Sequence, residues 1–100
     1  MYFIGRGVPK NDEIAVKWYK KAAVQGDTGA YLVLGLLYNG LGVPKNLVRA
    51  HSYLNVAAMS GDLESAEHMS DLEKDMTPQQ ITEAKALAKR CIESDYKDCE

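Results

Sequence analysis

The residues of this 100-residue chain that could carry out chemistry are few and far apart. The two histidines, His51 and His68, are predicted on different helices, and the sequence pairs neither of them with a serine or a cysteine. A Ser-His-Asp or Cys-His arrangement can be drawn here in many ways, and none of them is favoured. We therefore expect both histidines to be exposed to solvent, as histidine often is. We predict no catalytic residue and no enzyme.

The chain has two cysteines, Cys91 and Cys99, both in its last ten residues. On one continuous helix their Cα atoms would be about 12 Å apart at roughly 1.5 Å per residue. A disulfide requires about 7 Å or less, so a bond is feasible only where the helix stops between them, and Ser94-Asp95 can provide that stop. Metal binding is the weaker hypothesis, because no Cys-x2-Cys spacing or nearby histidine accompanies the pair. The spacing leaves a disulfide and two free thiols both open.

A seven-residue phrase occurs twice, as GRGVPKN from Gly5 and as GLGVPKN from Gly40. A Gly-x-Gly pair can cradle phosphates, but the dinucleotide fingerprint also needs a third glycine, a preceding strand and a following helix. Glycines that end one helix, a proline that blocks its continuation and an asparagine that caps the next helix explain the phrase better. We therefore predict no cofactor, and we interpret the phrase as the link between two repeated units.

The composition argues against two classes of partner. The net charge of −2 is unfavourable for a large phosphate-binding surface, so we expect no nucleic-acid partner. The longest apolar run, residues 32–38, is far shorter than the roughly 20 residues of a membrane span. No secretory signal is visible at the N-terminus. The chain is expected to be soluble as written, and any export signal would lie outside it.

Superposing the sequence on itself with a shift of 35 residues, the distance from Gly5 to Gly40, extends the repeat well beyond the loop. The matching positions keep their chemical type and fall at helical spacing, which is typical of a solenoid built from helix pairs. The clearest matches are Ala15 with Ala50, Trp18 with Tyr53, Ala22-Ala23 with Ala57-Ala58, Gly26-Asp27 with Gly61-Asp62, and Phe3 with Tyr38.

The helix boundaries follow from the capping residues. Asn11, Asp27, Asn46 and Asp62 are each predicted to cap the helix that begins at the next residue. The first helix is expected to end at residue 24, before a left-handed turn at Gly26, and the second to reach about residue 38. The residues predicted to face inward are Ala15, Trp18, Tyr19, Ala22 and Ala23 in the first helix, Ala30, Leu34, Leu37 and Tyr38 in the second, Ala50, Tyr53, Leu54, Ala57 and Ala58 in the third, and Ala66, Met69 and Leu72 in the fourth.

Gly35 lies inside a predicted helix, where glycine costs about 1 kcal/mol relative to alanine. We expect a neighbouring helix to approach closely at this point, and the small Ala22 and Ala23 on the preceding helix would allow it. Trp18 and Tyr53 are expected to fill the space between layers as core residues.

A different element begins after residue 76. Thr77-Pro78-Gln79-Gln80 is a capping box with proline at the first helical position. The helix that it opens is predicted to run to about residue 93 and to end the array with a polar outer face. Its inward residues are predicted to be Ile81, Ala84, Leu87, Ala88 and Ile92, and its outward residues Glu83, Lys85, Lys89 and Arg90.

At these positions the chain resembles the Sel-1-like repeats, relatives of the tetratricopeptide repeat. The matching residues read A-x-x-W-Y-x-K-A-A-x-Q-G-D from Ala15, A-x-x-x-L-G from Ala30 and L-Y-x-G-x-G-V-P-K-N from Leu37. The resemblance implies an all-α fold, a right-handed superhelix of antiparallel helix pairs. It also implies a non-catalytic scaffold for protein–protein interaction.

We predict one solenoid domain with a C-terminal cap. Residues 1–11 would be the tail of a truncated repeat, 12–46 the first full repeat, 47–76 a second, degenerate repeat, and 77–100 the capping helix and tail. The second repeat departs from the family pattern, because Met69-Ser70 stands where Leu34-Gly35 would be expected. The chain is therefore expected to be the C-terminal part of a longer array.

The resemblance also bears on the cysteines. Cysteine-rich members of the family staple neighbouring helices through a Cys-x7-Cys spacing, which implies a disulfide between Cys91 and Cys99. A disulfide would place the protein in the bacterial periplasm or outside the cell, whereas free thiols would place it in the cytoplasm. Some of these relatives have been associated with penicillin binding and weak β-lactam hydrolysis. The combination of Ser-x-x-Lys with Lys-Thr-Gly that serine β-lactamases use is absent.

Solenoids of this kind bind partners on their concave side, which the first helix of each pair lines. We also expect self-association through the N-terminal end, where residues 1–4 are apolar and the first helix lacks a neighbouring unit. A purely structural cap fragment with no partner of its own is the remaining alternative. On the concave side, contacts with a partner protein or peptide are expected at Val16, Tyr19, Lys20, His51, Leu54 and Asn55.

Overall fold

The computed structural model describes residues 12–41, 45–97 and 99, and within these ranges the chain contains helices and turns but no strand. The all-α prediction is therefore confirmed. The predicted cap Asn11, the apolar residues 1–4 and the first copy of the repeated loop lie outside the described residues. The elements are α1 (Asp12–Val24), α2 (Thr28–Leu36), a π-helical turn (Leu37–Leu41), α3 (Leu47–Met59), α4 (Leu63–Glu73) and α5 (Pro78–Glu93).

Three of these helices begin at the side-chain caps that the sequence predicts. The Asp27 carboxylate accepts a hydrogen bond at 3.0 Å from the backbone N–H two residues further on. The Asn46 side chain accepts one at 3.0 Å from the N–H three residues further on. Thr77 and Gln80 form the predicted reciprocal capping box. Each cap satisfies a backbone N–H that has no acceptor inside its own helix, which fixes where the helix starts.

The start of α4 differs from the prediction. Asp62 occupies the N-cap position, but its carboxylate accepts a hydrogen bond from the Ser65 hydroxyl and none from a backbone N–H. Ser65 is fully buried, whereas Ala66, predicted to face inward, is exposed. The hydrogen bond to Asp62 compensates the burial of the hydroxyl. In the first turn of α4 the buried residue is therefore Ser65 and not Ala66, whereas Met69 and Leu72 face inward as predicted.

Glycines in the left-handed region follow α1 and α3, as the repeat predicts, with φ of 84° at Gly26 and 101° at Gly61.

α2 ends before the predicted residue 38. The chain continues there as the π-helical turn and leaves helical dihedral angles near Gly40, at φ 95°. The backbone N–H of Asn46 then donates to the Tyr38 carbonyl oxygen at 2.9 Å, which closes the link to α3.

Gly35 marks a close approach of two helices, as predicted, but the neighbour is α3. A Cβ atom on Gly35 would lie 2.5 Å from Cγ of Leu54 and 3.2 Å from the carbonyl oxygen of Ala50. Only glycine lets α2 pack this closely against α3. The role expected for Ala22 and Ala23 in this approach is therefore corrected.

α3 is the central helix and contacts α2, α4 and α5. Trp18 was expected in the core, yet it is 62% exposed, whereas its repeat counterpart Tyr53 is 2% exposed. The other inward predictions are confirmed as buried for Ala15, Ala23, Ala30, Leu34, Leu37, Ala50, Tyr53, Leu54, Ala57, Leu72, Ala84 and Ala88, and as half-buried for Tyr19, Ala22, Tyr38, Ala58, Met69, Ile81, Leu87 and Ile92.

α5 packs against α3 with the faces that the sequence predicts. Ala84 and Ala88 are fully buried, and the charged residues of the opposite face are exposed. Within the described ranges, no helix has the length and apolar character that crossing a membrane requires.

Candidate partner-binding cleft

A cleft of about 320 Å³ opens between α1, α2, α3 and the C-terminal tail. α1 and α3 are the first helices of the two predicted pairs, so the cleft adjoins the helices on which the sequence places the partner contacts. Its walls combine tyrosine rings, aliphatic groups and lysines. The lining residues are Lys20, Ala23 and Val24 from α1, Tyr31 and Leu34 from α2, Tyr53 from α3, and Tyr96, Lys97 and Cys99 from the tail.

The tail reaches the cleft because a disulfide joins Cys91 to Cys99. α5 ends at Glu93, and the chain then reverses through Asp95 and Tyr96, which have left-handed φ values of 60° and 67°. This reversal brings the Cα atoms of the two cysteines to 4.1 Å. The helix stop that a disulfide requires is therefore present, and the described residues contain no cluster of metal-ligating side chains.

Tyr31 connects three walls of the cleft. Its hydroxyl donates to the carbonyl oxygen of Ala23 in α1 at 2.9 Å and lies 3.5 Å from each sulfur of the disulfide. Its ring centroid lies 6.0 Å from that of Tyr53 and 5.8 Å from that of Tyr96. Burial, and secondarily the neighbouring Tyr96 phenol, raises the pKa of Tyr31 to about 12. The hydroxyl therefore stays protonated, and remains a donor, at neutral pH.

Positive charge lies on the two helices beside the cleft. Residues 14–24 of α1 and all of α3 contain no aspartate or glutamate. Lys20 Nζ lies 5.9 Å, and Arg49 Cζ 5.7 Å, from the centroid of the Tyr38 ring, so both cations lie over the same aromatic ring. Acidic residues are concentrated on α4 instead, where they are Glu64, Glu67, Asp71 and Glu73.

Three of the six residues predicted to contact a partner have accessible surface. Lys20 lines the cleft, and Tyr19 and Asn55 are half-buried. Val16 is 8% exposed and Leu54 is fully buried, Leu54 because it packs against Gly35 of α2. Neighbouring helices thus cover part of the face that the sequence assigns to a partner, and Val16 and Leu54 are not part of the candidate surface.

His51 is a buried structural residue, which corrects both its predicted exposure and its predicted contact with a partner. Its Nε2 atom lies 2.7 Å from the Glu73 carboxylate of α4. The contact ties α3 to α4 and supplies a partner for a buried imidazole. His68 lies at the surface of α4, with its side chain 36% exposed and its Nε2 3.8 Å from the Glu64 carboxylate.

The turn after α5 contains a Ser-x-x-Lys spacing, Ser94-Asp95-Tyr96-Lys97, that the sequence reasoning did not single out. The Ser94 hydroxyl donates to the carbonyl oxygen of Cys91 at 3.0 Å and accepts from the backbone N–H of Lys97 at 3.2 Å. Both bonds belong to the turn that ends the helix. The hydroxyl therefore has a structural role in the reversal of the tail.

Sequence reasoning misses four of the cleft residues, namely Val24, Tyr31, Tyr96 and Lys97. A shift of 35 residues carries Tyr31 onto Ala66, so the repeat gives no signal for a tyrosine at this point. Tyr96 and Lys97 lie between the two cysteines, and the disulfide is the only sequence feature that could indicate that they fold back onto the helices.

Comparison with known proteins gives one family match. A family model described as the Sel1 repeat matches residues 1–27 and 29–62, which is more than half of the chain and includes α1 and α3. No curated protein and no solved structure matches the chain significantly.

Proposed function

Because the chain belongs to the Sel1 repeat family, whose repeats are generally protein–protein interaction modules, we propose that it binds another protein or a peptide through the cleft. The observation that carries this proposal is the cleft itself, a space of about 320 Å³ with tyrosine rings and lysines on its walls. Tyrosine is enriched in binding surfaces because its ring buries apolar area while its hydroxyl can still find a hydrogen-bond partner. We assign Lys20, which lines the cleft, to the contact. Tyr19 and Asn55 are assigned to it as well, although they lie on the same two helices outside the described lining.

The proposed role is that of a non-catalytic scaffold that forms the C-terminal part of a repeat array. The charged outer face of α5 supports it, because a solenoid needs a polar terminal element. In the second repeat, Ser70 stands at the position of Gly35, the glycine that lets α2 pack closely on α3. This loss is consistent with a repeat array that ends at the second repeat.

Selection from a random peptide display library tests the proposal. Enriched peptides are synthesised, and their affinity is measured for the natural chain and for the variant Lys20→Ala/Asn55→Ala. We expect the double substitution to weaken binding by roughly tenfold or more, as loss of central contacts does. Both side chains are only half-buried, so the melting temperature should change little.

Lys85→Ala is the matched control, since it removes one exposed lysine from the far face of α5. Its affinity for the same peptides should equal that of the natural chain. Failure to enrich any peptide, or peptides that bind the Lys20→Ala/Asn55→Ala variant as tightly as the natural chain, would contradict the proposal.

Self-association through α1 is a second proposed interaction. Trp18 is 62% exposed and Ile14, one helical turn away, is 47% exposed. An exposed apolar patch commonly finds a partner, and in a purified sample that partner is a second copy. Joining the same patch from two copies on a two-fold axis would close as a dimer.

Light scattering at increasing concentration tests self-association. The natural chain is expected to show a mass that rises towards a dimer, and Trp18→Glu should abolish the rise. Leu63→Glu, at a 79% exposed position on α4, is the matched control and should leave it unchanged. A natural chain that stays monomeric at high concentration would exclude this interaction.

The disulfide supports an oxidising compartment, and we assign the protein to the bacterial periplasm or the cell exterior. Thiol titration of the chain isolated from its source, under denaturing and non-reducing conditions, is expected to find no free sulfhydryl. Two free thiols would instead favour the cytoplasm.

The proposal includes no reaction. The Sel1 repeat family is typically non-catalytic, and the Ser94 hydroxyl is engaged in the turn after α5. A nitrocefin assay with the purified chain should give no saturable turnover, and saturable turnover would establish the β-lactam alternative. If no peptide or protein binds in any assay, the structural-cap alternative stands.

A further inference from the structure

The structure assigns a second role to the C-terminal tail: we propose that the Cys91–Cys99 disulfide is a reversible latch, which an external dithiol opens by attack on Cys99 and which dismantles the cleft when it opens. The exchange reaction is independent of the proposed function, whereas its effect on peptide binding rests on that function.

The two cysteines of the disulfide differ in access. Cys91 is 0% exposed and belongs to the core cluster that includes Tyr31 and Ala88. Cys99, in contrast, is half-buried and lines the cleft. A thiolate breaks a disulfide only where it reaches one of the two sulfurs, so burial of one partner directs the attack to the other. We therefore assign the reactive position to Cys99.

The exchange consists of two balanced steps. One thiolate of the dithiol forms a bond to Sγ of Cys99, the bond between the two cysteines breaks, and its electron pair leaves with Sγ of Cys91. The second thiolate then attacks the reagent's own sulfur in this mixed disulfide and releases Cys99. The reagent ends as a disulfide, and the two cysteines have gained the two electrons and two protons that it loses.

Tyr31 lies beside the sulfur that leaves. Its hydroxyl is 3.5 Å from Sγ of Cys91 and donates to the carbonyl oxygen of Ala23. By turning towards the sulfur, the hydroxyl would donate to the thiolate as it forms, and a hydrogen bond to the charged form of a group favours that form. The buried side of the disulfide therefore offers a donor to the leaving thiolate.

The turn between the cysteines is conformationally costly. Asp95 and Tyr96 have φ values of 60° and 67°, in a region that is uncommon for residues other than glycine. Such conformations persist only where the surrounding structure imposes them. The disulfide is one constraint, and the Tyr96 ring packed over Gly26 is another, since a Cβ atom on Gly26 would lie 3.2 Å from Cε2 of the ring. Reduction removes the covalent constraint, so we expect the turn to relax and the tail to leave the helices.

Release of the tail removes one wall of the cleft. Tyr96, Lys97 and Cys99 supply three of the nine described lining residues, and the other six belong to α1, α2 and α3. A partner held between the helices and the tail therefore loses its contacts on one side when the tail leaves. The oxidised chain is the form that binds, and the reduced chain is the form that releases its partner.

Reduction under native conditions tests the exchange without any peptide. The natural chain is treated with dithiothreitol in the absence of denaturant, and the appearance of thiols is followed by alkylation and mass spectrometry. The thiols should appear at least about tenfold faster than the chain unfolds globally, because an accessible sulfur reacts without unfolding of the core. Unfolding kinetics in urea, extrapolated to zero urea, give the rate for comparison.

Glutathione identifies the sulfur that is attacked. Because it is a monothiol, its mixed disulfide can be trapped by acid, and cleavage after Lys97 then separates the two cysteines into different peptides. We expect glutathione on Cys99 and a free thiol at Cys91.

Amide hydrogen exchange reports the release of the tail. The N–H of Tyr96 donates to the carbonyl oxygen of Cys91 at 2.8 Å, and the N–H of Lys97 donates to the Ser94 hydroxyl at 3.2 Å. Both amides should exchange at least about tenfold faster after reduction, whereas the amides of α3 should stay protected. Cys91→Ala/Cys99→Ala is the matched control, and its tail amides should exchange fast with or without the reductant.

Peptide affinity in glutathione buffers of increasing reducing strength links the latch to the cleft. A peptide selected on the oxidised chain should bind about tenfold more weakly once the disulfide is reduced, and reoxidation should restore its affinity. The loss of binding should coincide with the appearance of thiols. The control variant should keep one low affinity in every buffer.

Four results would overturn the inference. Thiols that appear no faster than the chain unfolds would make the disulfide a static structural bond. Glutathione on Cys91 would refute the assigned position of attack, and tail amides that stay protected after reduction would refute the release. A peptide that binds the oxidised and reduced chains equally would show that the latch does not control the cleft. If no peptide is enriched, the proposed function fails, while the exchange rate and the tail amides still decide whether the latch exists.

Discussion

α1 and α3 are two versions of the same helix, and they differ most at the large aromatic residue that both contain. Their first alanines, Ala15 and Ala50, are both buried, at 3% and 0% exposure. In contrast, Trp18 of α1 is 62% exposed and Tyr53 of α3 is 2% exposed. An equivalent place in the repeat therefore does not give an equivalent environment.

The difference arises from the neighbours of each helix. Tyr53 packs against Tyr38 of the π-helical turn, with ring centroids 5.7 Å apart, and against Tyr31 of α2 at 6.0 Å. α3 also contacts α4 and α5, whereas α2 is the main described neighbour of α1. In a repeat protein each unit stacks only on adjacent units, so burial depends on what lies next to a helix.

Truncation of the two aromatic residues is the strongest way to break the comparison. Tyr53→Ala should reduce the free energy of unfolding by about 3 kcal/mol or more, because it empties a fully packed site. Trp18→Ala should change it by no more than about 0.5 kcal/mol, as at an exposed position. Urea unfolding of both variants measures the difference. Equal losses would show that Trp18 is covered in solution.

Removing the disulfide tests whether the tail belongs to the folded unit that contains α3. Cys91→Ala/Cys99→Ala should lower the free energy of unfolding by about 2.5 kcal/mol in the chain-entropy model, since the bond closes a loop of about nine residues. The same variant should bind the selected peptides more weakly, because the tail is no longer held at the cleft. A reducing agent should have no effect on this variant. A fully stable variant with natural affinity would contradict the account.

Tyr31 bridges α1 and α3, and its titration sharpens the comparison at high pH. Its pKa is raised from 10.0 to about 12 in the folded chain, so the unfolded chain loses this proton first as the pH rises. The stabilisation that the protonated hydroxyl provides is complete below pH 10.0 and is lost as the pH rises towards about 12. We expect this loss to be about 2 kcal/mol.

Tyr31→Phe provides the reference for that titration, since phenylalanine keeps the ring and removes the proton. Urea unfolding at several alkaline pH values should show that the free energy of unfolding falls less with rising pH for the variant than for the natural chain. At neutral pH the variant should lose about 1 kcal/mol, the usual value of one hydrogen bond. If the free energy of unfolding fell equally in both proteins, Tyr31 would not be the cause of the loss of stability at alkaline pH.

Two glycines of α2 give the smallest expected effects and opposite signs. Gly35→Ala should reduce the free energy of unfolding by about 1 kcal/mol, because overpacking against Leu54 outweighs the gain in helix propensity. Gly29→Ala should increase it slightly, by about 0.5 kcal/mol, since a Cβ there meets only an ordinary contact at 3.4 Å. Thermal unfolding of both variants measures the two changes in stability. A stabilising Gly35→Ala would mean that α2 and α3 are less tightly packed than described.

The features that the sequence predicts correctly are local ones. The caps at Asp27, Asn46 and Thr77, and the left-handed turns at Gly26 and Gly61, depend on residues within one helical turn. Their chemistry can be interpreted from a few consecutive letters, because the same atoms satisfy the same backbone groups in any protein.

The errors concern contacts between distant segments. The burial of His51 depends on Glu73 of another helix, and the exposure of Trp18 depends on which units stack beside α1. Neither is encoded in the apolar periodicity of a single helix. The cleft could be predicted only in part, because Lys20 follows from the repeat but Tyr96 and Lys97 reach it through the disulfide.

The central claim is that the cleft between α1, α3 and the tail is the binding surface. An NMR titration of the isotopically labelled chain with a peptide from the selection tests it most directly. The account predicts that the resonances which shift belong to Lys20, Tyr53, Tyr96 and Lys97, while the exposed residues of α4 stay unchanged. Shifts confined to α4, or to Trp18 and the outer face of α1, would place the partner elsewhere and contradict the account.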